Sequence, residues 1–285
     1  MAISKPKEFL SSIINAKSMT AIIAQAKTER EYLEQQYNSI ASLKNGFTVY
    51  RNYLKTYIEP DKKIGRKLLL KTLLEILCLT PEQQAIFNKV KSTDIKQNKS
   101  NLRELYDSKA YLDIAVSLLD TNSCIDNILG LCALTGRRAA EIGTSAEFKY
   151  IDQDTIEFNG QLKTKERIDV APYRIPVLLD ADKLIRTLIK IRTTKPQFID
   201  KPELFHNSVS KELSLRVKKH FSKAFEGEPK VKDLRAIYAL ICFNNFNQIT
   251  TNKRIDRDVY FSKILGHSAD DITTCGSYVD FYTND

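Results

Sequence analysis

The sequence predicts a mainly α-helical protein of two domains, with a small antiparallel β-sheet inserted in the second domain. Helical spacing of apolar residues recurs along most of the 285-residue chain, and strand-like alternation is confined to its middle. The positive charge is unevenly placed, since residues 1–103 hold 18 basic and 9 acidic side chains and the rest hold 26 of each. Such an asymmetry is typical of a basic domain that meets a polyanion, joined to a charge-balanced domain.

The first third of the chain is predicted to form helices with polar breaks between them. We expect helices over residues 6–26, 29–58 and 62–78, and a fourth helix that begins at Pro81. Glu59-Pro60 ends the second helix, and Thr80 can cap the fourth. The polar, basic run 92–101 has no apolar period, so it is the predicted linker between domains over 1–100 and 101–285.

The rest of the chain combines the two periodicities. Alternating residues predict three short strands at 148–152, 155–158 and 173–177, with Asn159-Gly160 as a turn signal. Helical patterns occupy 102–119, 124–134, 181–192, 208–225, 231–246, 256–265 and 272–281. The strands are therefore expected to form a small antiparallel sheet within a mostly helical domain.

Composition excludes several classes of protein. The most apolar stretch, 68–79, is interrupted by Lys71 and Glu75, so no membrane span is expected. The first residues lack the apolar core of a secretion signal, and the five cysteines are scattered, which favours a cytoplasmic protein with reduced thiols and no zinc site. Glycine is scarce and no phosphate-binding loop occurs, so no nucleotide cofactor is expected.

Four separated segments carry the residues that point to chemistry. Two arginines and a glutamate begin a helix after Leu134-Thr135-Gly136, and lysines occupy the turn that follows Gly160-Gln161-Leu162. A lysine and an arginine begin an apolar helix, and Leu265-Gly266 precedes a histidine and, further on, a tyrosine. The candidates are Arg137, Arg138, Glu141, Lys163, Lys165, Lys232, Arg235, His267 and Tyr278.

Metal-free cleavage of a phosphodiester by transesterification requires these residue types. Two arginines can bracket the non-bridging oxygens and neutralise the charge that develops in the transition state. A lysine can protonate the departing 5′ oxygen, a histidine can hydrogen-bond the phosphate, and a tyrosine can attack when nearby cations favour its phenolate. Because the phosphotyrosine conserves the energy of the broken bond, rejoining needs no ATP. We therefore expect neither a cofactor nor a metal.

At these residues the sequence resembles the tyrosine recombinase and type IB topoisomerase superfamily, and most closely its telomere resolvase (protelomerase) branch. Leu-Thr-Gly-Arg-Arg-x-x-Glu-Ile matches the first arginine box, with Arg138 in the catalytic place, and Lys163 follows 25 residues later as the β-hairpin lysine. Lys232 in Lys-x-Leu-Arg, where integrases usually carry histidine, is similar to telomere resolvases. Over residues 102–282, the resemblance implies the catalytic set Arg138, Lys163, Lys232, Arg235, His267 and Tyr278.

The resemblance also implies an architecture and an outcome. Residues 1–100 would form a core-binding-like helical domain and residues 101–285 a tyrosine-recombinase-like catalytic domain, closing as a C-shaped clamp around duplex DNA. A homodimer would cut both strands at an inverted repeat through 3′-phosphotyrosine intermediates and join each strand to its own complement, which produces covalently closed hairpin ends. The expected DNA contacts are Arg51, Lys55, Lys62, Lys63, Arg66, Lys67, Arg137 and Lys165.

Several assignments remain open at this stage. Lys165 competes with Lys163 as the general acid, and Arg137 can instead bind backbone or a carboxylate. Tyr282, close to the chain end, and Tyr260, before the histidine, compete with Tyr278 as the nucleophile.

Three other functions compete with telomere resolution. A site-specific integrase would use the same chemistry, but its protomers usually exchange a C-terminal helix, and the seven residues after Tyr278 make that exchange harder. A DNA-binding module that has lost catalysis would not need every catalytic position filled. A monomeric topoisomerase would relax supercoiled DNA without sequence preference.

Overall fold

The computed structural model describes residues 5–16, 18–58, 64–162, 170–246, 255–266 and 280–284. Two compact units divide the chain, Met1–Asp94 and Ile95–Asp285, six residues before the boundary expected from the sequence. Within the described part of the chain, no helix is both long and apolar enough to cross a membrane.

The first unit is a group of helices around its own apolar core. Its helices are α1 (Lys5–Asn15), α2 (Met19–Gln36), α3 (Ile40–Ile58), α4 (Ile64–Ile76) and α5 (Pro81–Ser100), whose last residues belong to the second unit. Phe47, Leu54 and Leu73 are among the buried residues of the core. Arg30 on α2 donates to the carbonyls of Ile76 and Cys78 at 2.7 and 3.0 Å, which satisfies the C-terminal end of α4.

The breaks between the first three helices differ from the prediction. The expected break at residues 27–28 is wrong, because α2 runs through it and ends at Gln36. Ser18 begins α2 instead, with its side chain accepting from the backbone N–H of Ala21 at 3.2 Å. An N-cap hydroxyl therefore sets this boundary, whereas the polar pair at 27–28 lies within the helix.

The predicted cap of the fourth α-helical segment at Pro81 is confirmed, but the predicted linker is wrong. Thr80 Oγ1 accepts from the N–H of Gln83 at 3.2 Å, and Gln83 Oε1 accepts from the N–H of Thr80 at 3.0 Å. The helix that they begin, α5, continues to Ser100 and therefore contains all of the run 92–101 except its last residue. That run lacks an apolar stripe, yet its lysines and glutamine favour helix and no proline or glycine interrupts it.

The second unit packs helices around α7, which is buried along almost its whole length. Its helices are α6 (Ser108–Leu119), α7 (Cys124–Thr135), α8 (Ala181–Thr194), α9 (Pro202–Phe221), α10 (Val231–Phe246) and α11 (Arg257–Leu265). A π-helical turn covers Glu141–Ser145 and a 3-10 turn covers Pro196–Phe198. The helix expected at 208–225 is α9, which ends at Phe221. It begins earlier than expected because Pro202 takes the first-turn position, where its missing N–H costs nothing.

The predicted antiparallel sheet is confirmed. Strands β2 (Glu147–Asp152), β3 (Thr155–Asn159) and β4 (Tyr173–Pro176) lie side by side in chain order, each antiparallel to the next. Ile156 and Phe158 alternate with partly exposed residues on β3, so one face of the sheet lies on the core. The segment that carries the lysines lies between β3 and β4 in the chain, and its residues 163–169 are outside the described ones.

Two of the predicted helices, those at 102–119 and 272–281, give way at one end to a pair of parallel strands. Strand β1 (Arg103–Leu105) pairs with β5 (Phe281–Thr283), and Asp107 caps α6 only after β1 has ended. The helix predicted over 102–119 is therefore wrong for its first residues, and the one predicted over 272–281 is wrong at Phe281; residues 272–279 lie outside the described ones. The strand structure here results from pairing between residues far apart in the sequence, and no local pattern predicts it.

Phe281 anchors β5 to the core. Its ring is fully buried, lies 5.2 Å from the ring of Phe225, and carries the Arg103 guanidinium 4.2 Å above its centroid. Tyr282, the next residue, is 37% exposed.

We expect Phe281→Ala to lower the free energy of unfolding by about 3–5 kcal/mol, because the lost ring leaves a cavity beside Phe225. The matched control, Tyr282→Ala, should cost less than about 1 kcal/mol, because this side chain is partly solvated. Urea denaturation followed by circular dichroism measures both. Equal losses would mean that β5 is not held by its buried side chain.

Candidate active site

Arg138 and Glu141 form the centre of the candidate site. Helix α7 ends at Gly136, whose φ of +64° places it in the left-handed region, and a side chain there would collide with the ring of Tyr238. The chain then turns so that Arg138 donates to Glu141 twice, from its backbone N–H at 3.0 Å and from Nη1 at 2.5 Å. Glu141 is fully buried, and the Arg138 side chain is 19% exposed. The carboxylate therefore fixes a guanidinium that still reaches the surface.

Glu141 remains ionised although it is buried. Burial alone would raise the pKa of its carboxyl, but the guanidiniums of Arg235, Arg138 and Arg137 outweigh burial and lower it. One carboxylate therefore faces three arginines, and the cluster carries a surplus of positive charge. Such a surplus favours an anion at the exposed end of Arg138.

Arg235 connects the arginine box to α11. Nη1 donates to the carbonyl of Gly136, and Nη2 donates to the carbonyl of Leu265 at 2.6 Å. The side chain is only 3% exposed. Arg235 and Arg138 both lower the pKa of the Glu141 carboxyl, and Arg235 lies deeper than Arg138.

The predicted DNA contact at Arg137 is wrong. Its side chain is 1% exposed, and its guanidinium donates to the carbonyls of Thr135 and Ile264 and to the hydroxyl of Tyr173. The ring of Phe158 lies 4.8 Å from the guanidinium carbon. These partners occupy all three of its nitrogens, so Arg137 binds backbone, the alternative left open by the sequence, and joins α7, the sheet and α11.

A chain of hydrogen bonds continues from Arg137 across the sheet. Arg137 Nη1 donates to the Tyr173 hydroxyl at 2.5 Å, and this hydroxyl donates to Gln161 Oε1 at 3.0 Å. Gln161 Nε2 then donates to the carbonyl of Gly266 at 2.9 Å. The chain links the strand before the predicted lysine turn to the residue that precedes His267.

Three consecutive carbonyls at the end of α11 thus accept from three different segments. Ile264 accepts from Arg137, Leu265 from Arg235 and Gly266 from Gln161. Gly266 has a φ of +70°, and a side chain there would collide with Tyr173 and Gln161. The glycine before the histidine is therefore required by close packing as well as by its backbone angle.

Sequence reasoning missed the roles of Gln161 and Tyr173. Gln161 belongs to the Gly-Gln-Leu-Lys motif, but the motif only served to align the lysine. Tyr173 is one alternating residue of β4, and nothing in its neighbourhood distinguishes it. Only the crossing of β4 with the end of α11 gives both residues a function.

Lys232 lies on the surface at the start of α10. Its amino group is 3.7 Å from Asp280 Oδ2, and its side chain is 59% exposed. Burial raises the pKa of the Asp280 carboxyl, although Lys232 and Arg103 oppose the shift. Asp280 is two residues from Tyr278 along the chain, so Lys232 lies near the strand that follows the predicted nucleophile.

Arg103 supports the same region from the other side. It makes two bonds to the buried carboxylate of Asp233, at 2.8 and 3.2 Å, and Asp233 also accepts from the N–H of Lys230. The start of α10 is therefore held by an ion pair with β1, which sequence reasoning did not anticipate.

The remaining catalytic predictions fall outside the described residues: Lys163, Lys165, His267 and Tyr278. Of the competing tyrosines, Tyr260 is buried, donates to the carbonyl of Cys242 at 3.2 Å, and has its pKa raised by burial and Cys242. These features disfavour a phenolate at Tyr260. Tyr282 lies on β5 and is partly exposed.

The predicted DNA contacts of the first unit are partly described. Arg51 and Lys55 line a groove between α3 and the start of α5, together with Lys44 on the same face of α3 and Gln84. None of the described residues that line this groove is acidic. Arg66 and Lys67 belong to α4, but their side chains lie outside the described ones, as do Lys62 and Lys63.

The part of the chain that the structure describes gives no indication of a metal site. Among the described residues, no group of three or more acidic, histidine or cysteine side chains could hold a metal ion.

Comparison with known proteins confirms the resemblance found in the sequence. A family model described as the telomere resolvase ResT/TelK catalytic domain matches residues 101–281. The protelomerase of Yersinia phage PY54 is 32% identical over 161 residues, which cover 53% of this chain and 26% of that protein. The matched part of the chain thus spans about a quarter of the length of this relative.

Solved structures of the protelomerase TelA share the fold. A TelA variant covalently complexed with substrate DNA gives a TM-score of 0.85 at 22% identity, covering 99% of this chain and 89% of that chain. A TelA variant complexed with a DNA hairpin product gives 0.86 at 22% identity, covering 99% and 88%. The likeness extends over the described part of both units and confirms the predicted mainly helical fold with a small antiparallel sheet.

The two neighbouring arginines should respond differently to the same conservative change. We expect Arg137→Lys to lower the free energy of unfolding by about 2–4 kcal/mol, because one ammonium cannot serve three acceptors that lie in different directions. Arg138→Lys should cost about 1 kcal/mol or less, because a cation beside Glu141 is retained. Urea denaturation compares the pair. A larger loss for Arg138→Lys would reverse the assignment of the buried arginine.

Proposed function

The chain belongs to the telomere resolvase ResT/TelK family, and on that premise we propose that it cleaves and rejoins duplex DNA to produce covalently closed hairpin ends. The observation that carries the proposal is the cluster of Arg137, Arg138 and Arg235 around one buried carboxylate, Glu141. It is a preformed positive site whose outermost member, Arg138, is partly exposed. A scissile phosphate fits this charge and this position.

The proposed first step is attack by the phenolate oxygen of Tyr278 on phosphorus. A P–O bond to tyrosine forms while the bond from phosphorus to the 5′ oxygen breaks, and Lys163 or Lys165 donates the proton that the departing oxygen needs. Arg138 contacts a non-bridging oxygen, and Arg235 adds charge from behind it. His267 and Lys232 are the remaining groups proposed at the phosphate.

The proposed second step reverses the first with a different nucleophile. The 5′ hydroxyl of the complementary strand attacks the phosphotyrosine, so the phosphodiester re-forms across the duplex end and tyrosine leaves. Two copies of the chain, each acting on one half of an inverted repeat, would complete both ends. The TelA variant solved with a DNA hairpin product supports this outcome for a chain of the same fold.

The experiment that tests the proposal captures the DNA target covalently. Fragmented DNA of the organism that carries the gene is incubated in EDTA with wild type, with Tyr278→Phe and with Tyr282→Phe as the matched control. After a detergent quench, the DNA that remains attached to protein is sequenced. We expect an adduct at one inverted repeat for wild type and Tyr282→Phe, none for Tyr278→Phe, and fold-back ends on the released fragments.

Other outcomes of the capture would contradict parts of the proposal. Adducts at paired, non-palindromic sites would indicate an integrase, and relaxation of supercoiled DNA without sequence preference would indicate a topoisomerase. Binding without any adduct would indicate a DNA-binding module. An undiminished adduct with Tyr278→Phe would assign the nucleophile to another residue.

Within the proposed function, the groove on the first unit contacts the DNA backbone. We expect the double variant Arg51→Gln, Lys55→Gln to reduce the log–log dependence of DNA affinity on salt by about 1.8, because each lost phosphate contact removes about 0.9. The control Lys7→Gln, Lys27→Gln removes the same charge from exposed residues outside the groove. Fluorescence anisotropy with a labelled duplex at several salt concentrations measures both slopes. Equal slopes in the two variants would exclude the groove as a contact.

A further inference from the structure

A chain of hydrogen bonds that runs from Arg137 through Tyr173 and Gln161 to Gly266 connects two segments of the proposed active site, and we call it the joint. The carboxamide of Gln161 bonds to Tyr173 through Oε1 and to the carbonyl of Gly266 through Nε2. Gln161 precedes Lys163 by two residues, and Gly266 precedes His267 by one. Because two residues of chain span at most about 7 Å, the bonds of Gln161 restrict how far the lysine can be from the segment that carries the histidine.

The direction of every bond in this joint is fixed by chemistry. A guanidinium can only donate, so the Tyr173 oxygen accepts from Arg137 and its single hydrogen must go elsewhere. The carbonyl of Gly266 can only accept, which turns the Gln161 NH₂ towards it and leaves Oε1 to accept the hydrogen of Tyr173. The orientation of the amide therefore follows from the Gly266 carbonyl, and the direction of the Tyr173 hydroxyl follows from the amide.

We infer that Gln161 is a positioning residue for protonation of the departing 5′ oxygen. Its proposed role is not contact with the phosphate or the nucleophile. Its bonds hold the chain two residues before Lys163 against the end of α11, and through this anchor it would position the lysine. The inference rests on the proposed function and names a residue through which that function works. Tyr173 acts in the same way, one bond further from the lysine.

A sulphur substitution in the DNA distinguishes acid catalysis from the other steps. In a duplex whose scissile phosphate carries sulphur in place of the bridging 5′ oxygen, tyrosine still forms its bond to phosphorus, but the leaving group departs as a thiolate. A thiolate is stable near neutral pH and needs no proton from the enzyme. A variant that has lost only the placement of the acid should therefore recover on this substrate.

The experiment uses the full chain and a synthetic duplex of the sequence recovered by covalent capture, nicked so that the short leaving strand dissociates. Single-turnover rates of adduct formation are measured on the oxygen and sulphur substrates for wild type, Gln161→Met and Tyr173→Phe. We expect Gln161→Met to lose about 100-fold on the oxygen substrate and less than about threefold on the sulphur substrate. Tyr173→Phe should show the same pattern with a smaller loss.

Two reference variants complete the test. Asn159→Leu removes an amide two residues earlier on β3, which donates to Glu147 at 3.0 Å and does not reach α11, and it should leave both rates unchanged. Lys163→Ala and Lys165→Ala identify the general acid, because loss of the acid itself should give the full recovery on the sulphur substrate.

The outcomes distinguish a failure of the inference from a failure of the proposed function. Equal losses of Gln161→Met on both substrates, or no loss on the oxygen substrate, would overturn the inference and leave the proposed function standing. Failure of wild type to form an adduct on either substrate would overturn the proposed function and the inference with it. If Gln161→Met does not fold, the rates of Tyr173→Phe decide in its place, since that change removes only one hydroxyl.

Discussion

The site depends on three carbonyls at the end of α11, those of Ile264, Leu265 and Gly266, which accept from Arg137, Arg235 and Gln161. The last carbonyls of a helix have no partner within it, and they lie at the negative end of the helix dipole. Buried guanidiniums have the opposite need, because a cation without acceptors is costly in the interior. Each group therefore satisfies the other, and the sequence segments that must meet for chemistry are brought together by an interaction that also stabilises the fold.

Glu141 makes this concentration of positive charge tolerable. Three arginines without a counterion would repel one another, and together they lower the pKa of the Glu141 carboxyl although its burial raises it. The carboxylate does not neutralise the cluster, since one negative charge faces three positive ones. An entering phosphodiester would complete the compensation, and its charge grows in the transition state, when the arginines are already in place.

The parts of the fold that the sequence predicts correctly are those with a local cause. Helix α10 and strands β2 to β4 follow from periodicity, the start of α5 follows from Thr80 and Pro81, and the arginine box is recognisable in nine residues. The pairing of β1 with β5 has no local cause, since both strands are only three residues long and most of the sequence of the second unit separates them. The helical course of 92–100 is not predicted for the converse reason, since helix propensity without an apolar stripe suffices there. The joint depends on the contact of Tyr173 with Arg137 and on the contact of Gln161 with the end of α11, and no single segment encodes both.

The joint also separates positioning from titration. Its last two groups, the carboxamide of Gln161 and the backbone carbonyl of Gly266, are not ionisable. A carboxylate in the place of Gln161 would lose the donor to Gly266 whenever it ionised, and a histidine would change tautomer. Because an amide does neither, its bond to Gly266 is the same whether or not the lysine that follows in the chain carries a proton. The bond between Gln161 and Gly266 therefore contributes no pH dependence of its own, and in the proposal the pH dependence of cleavage comes from other groups.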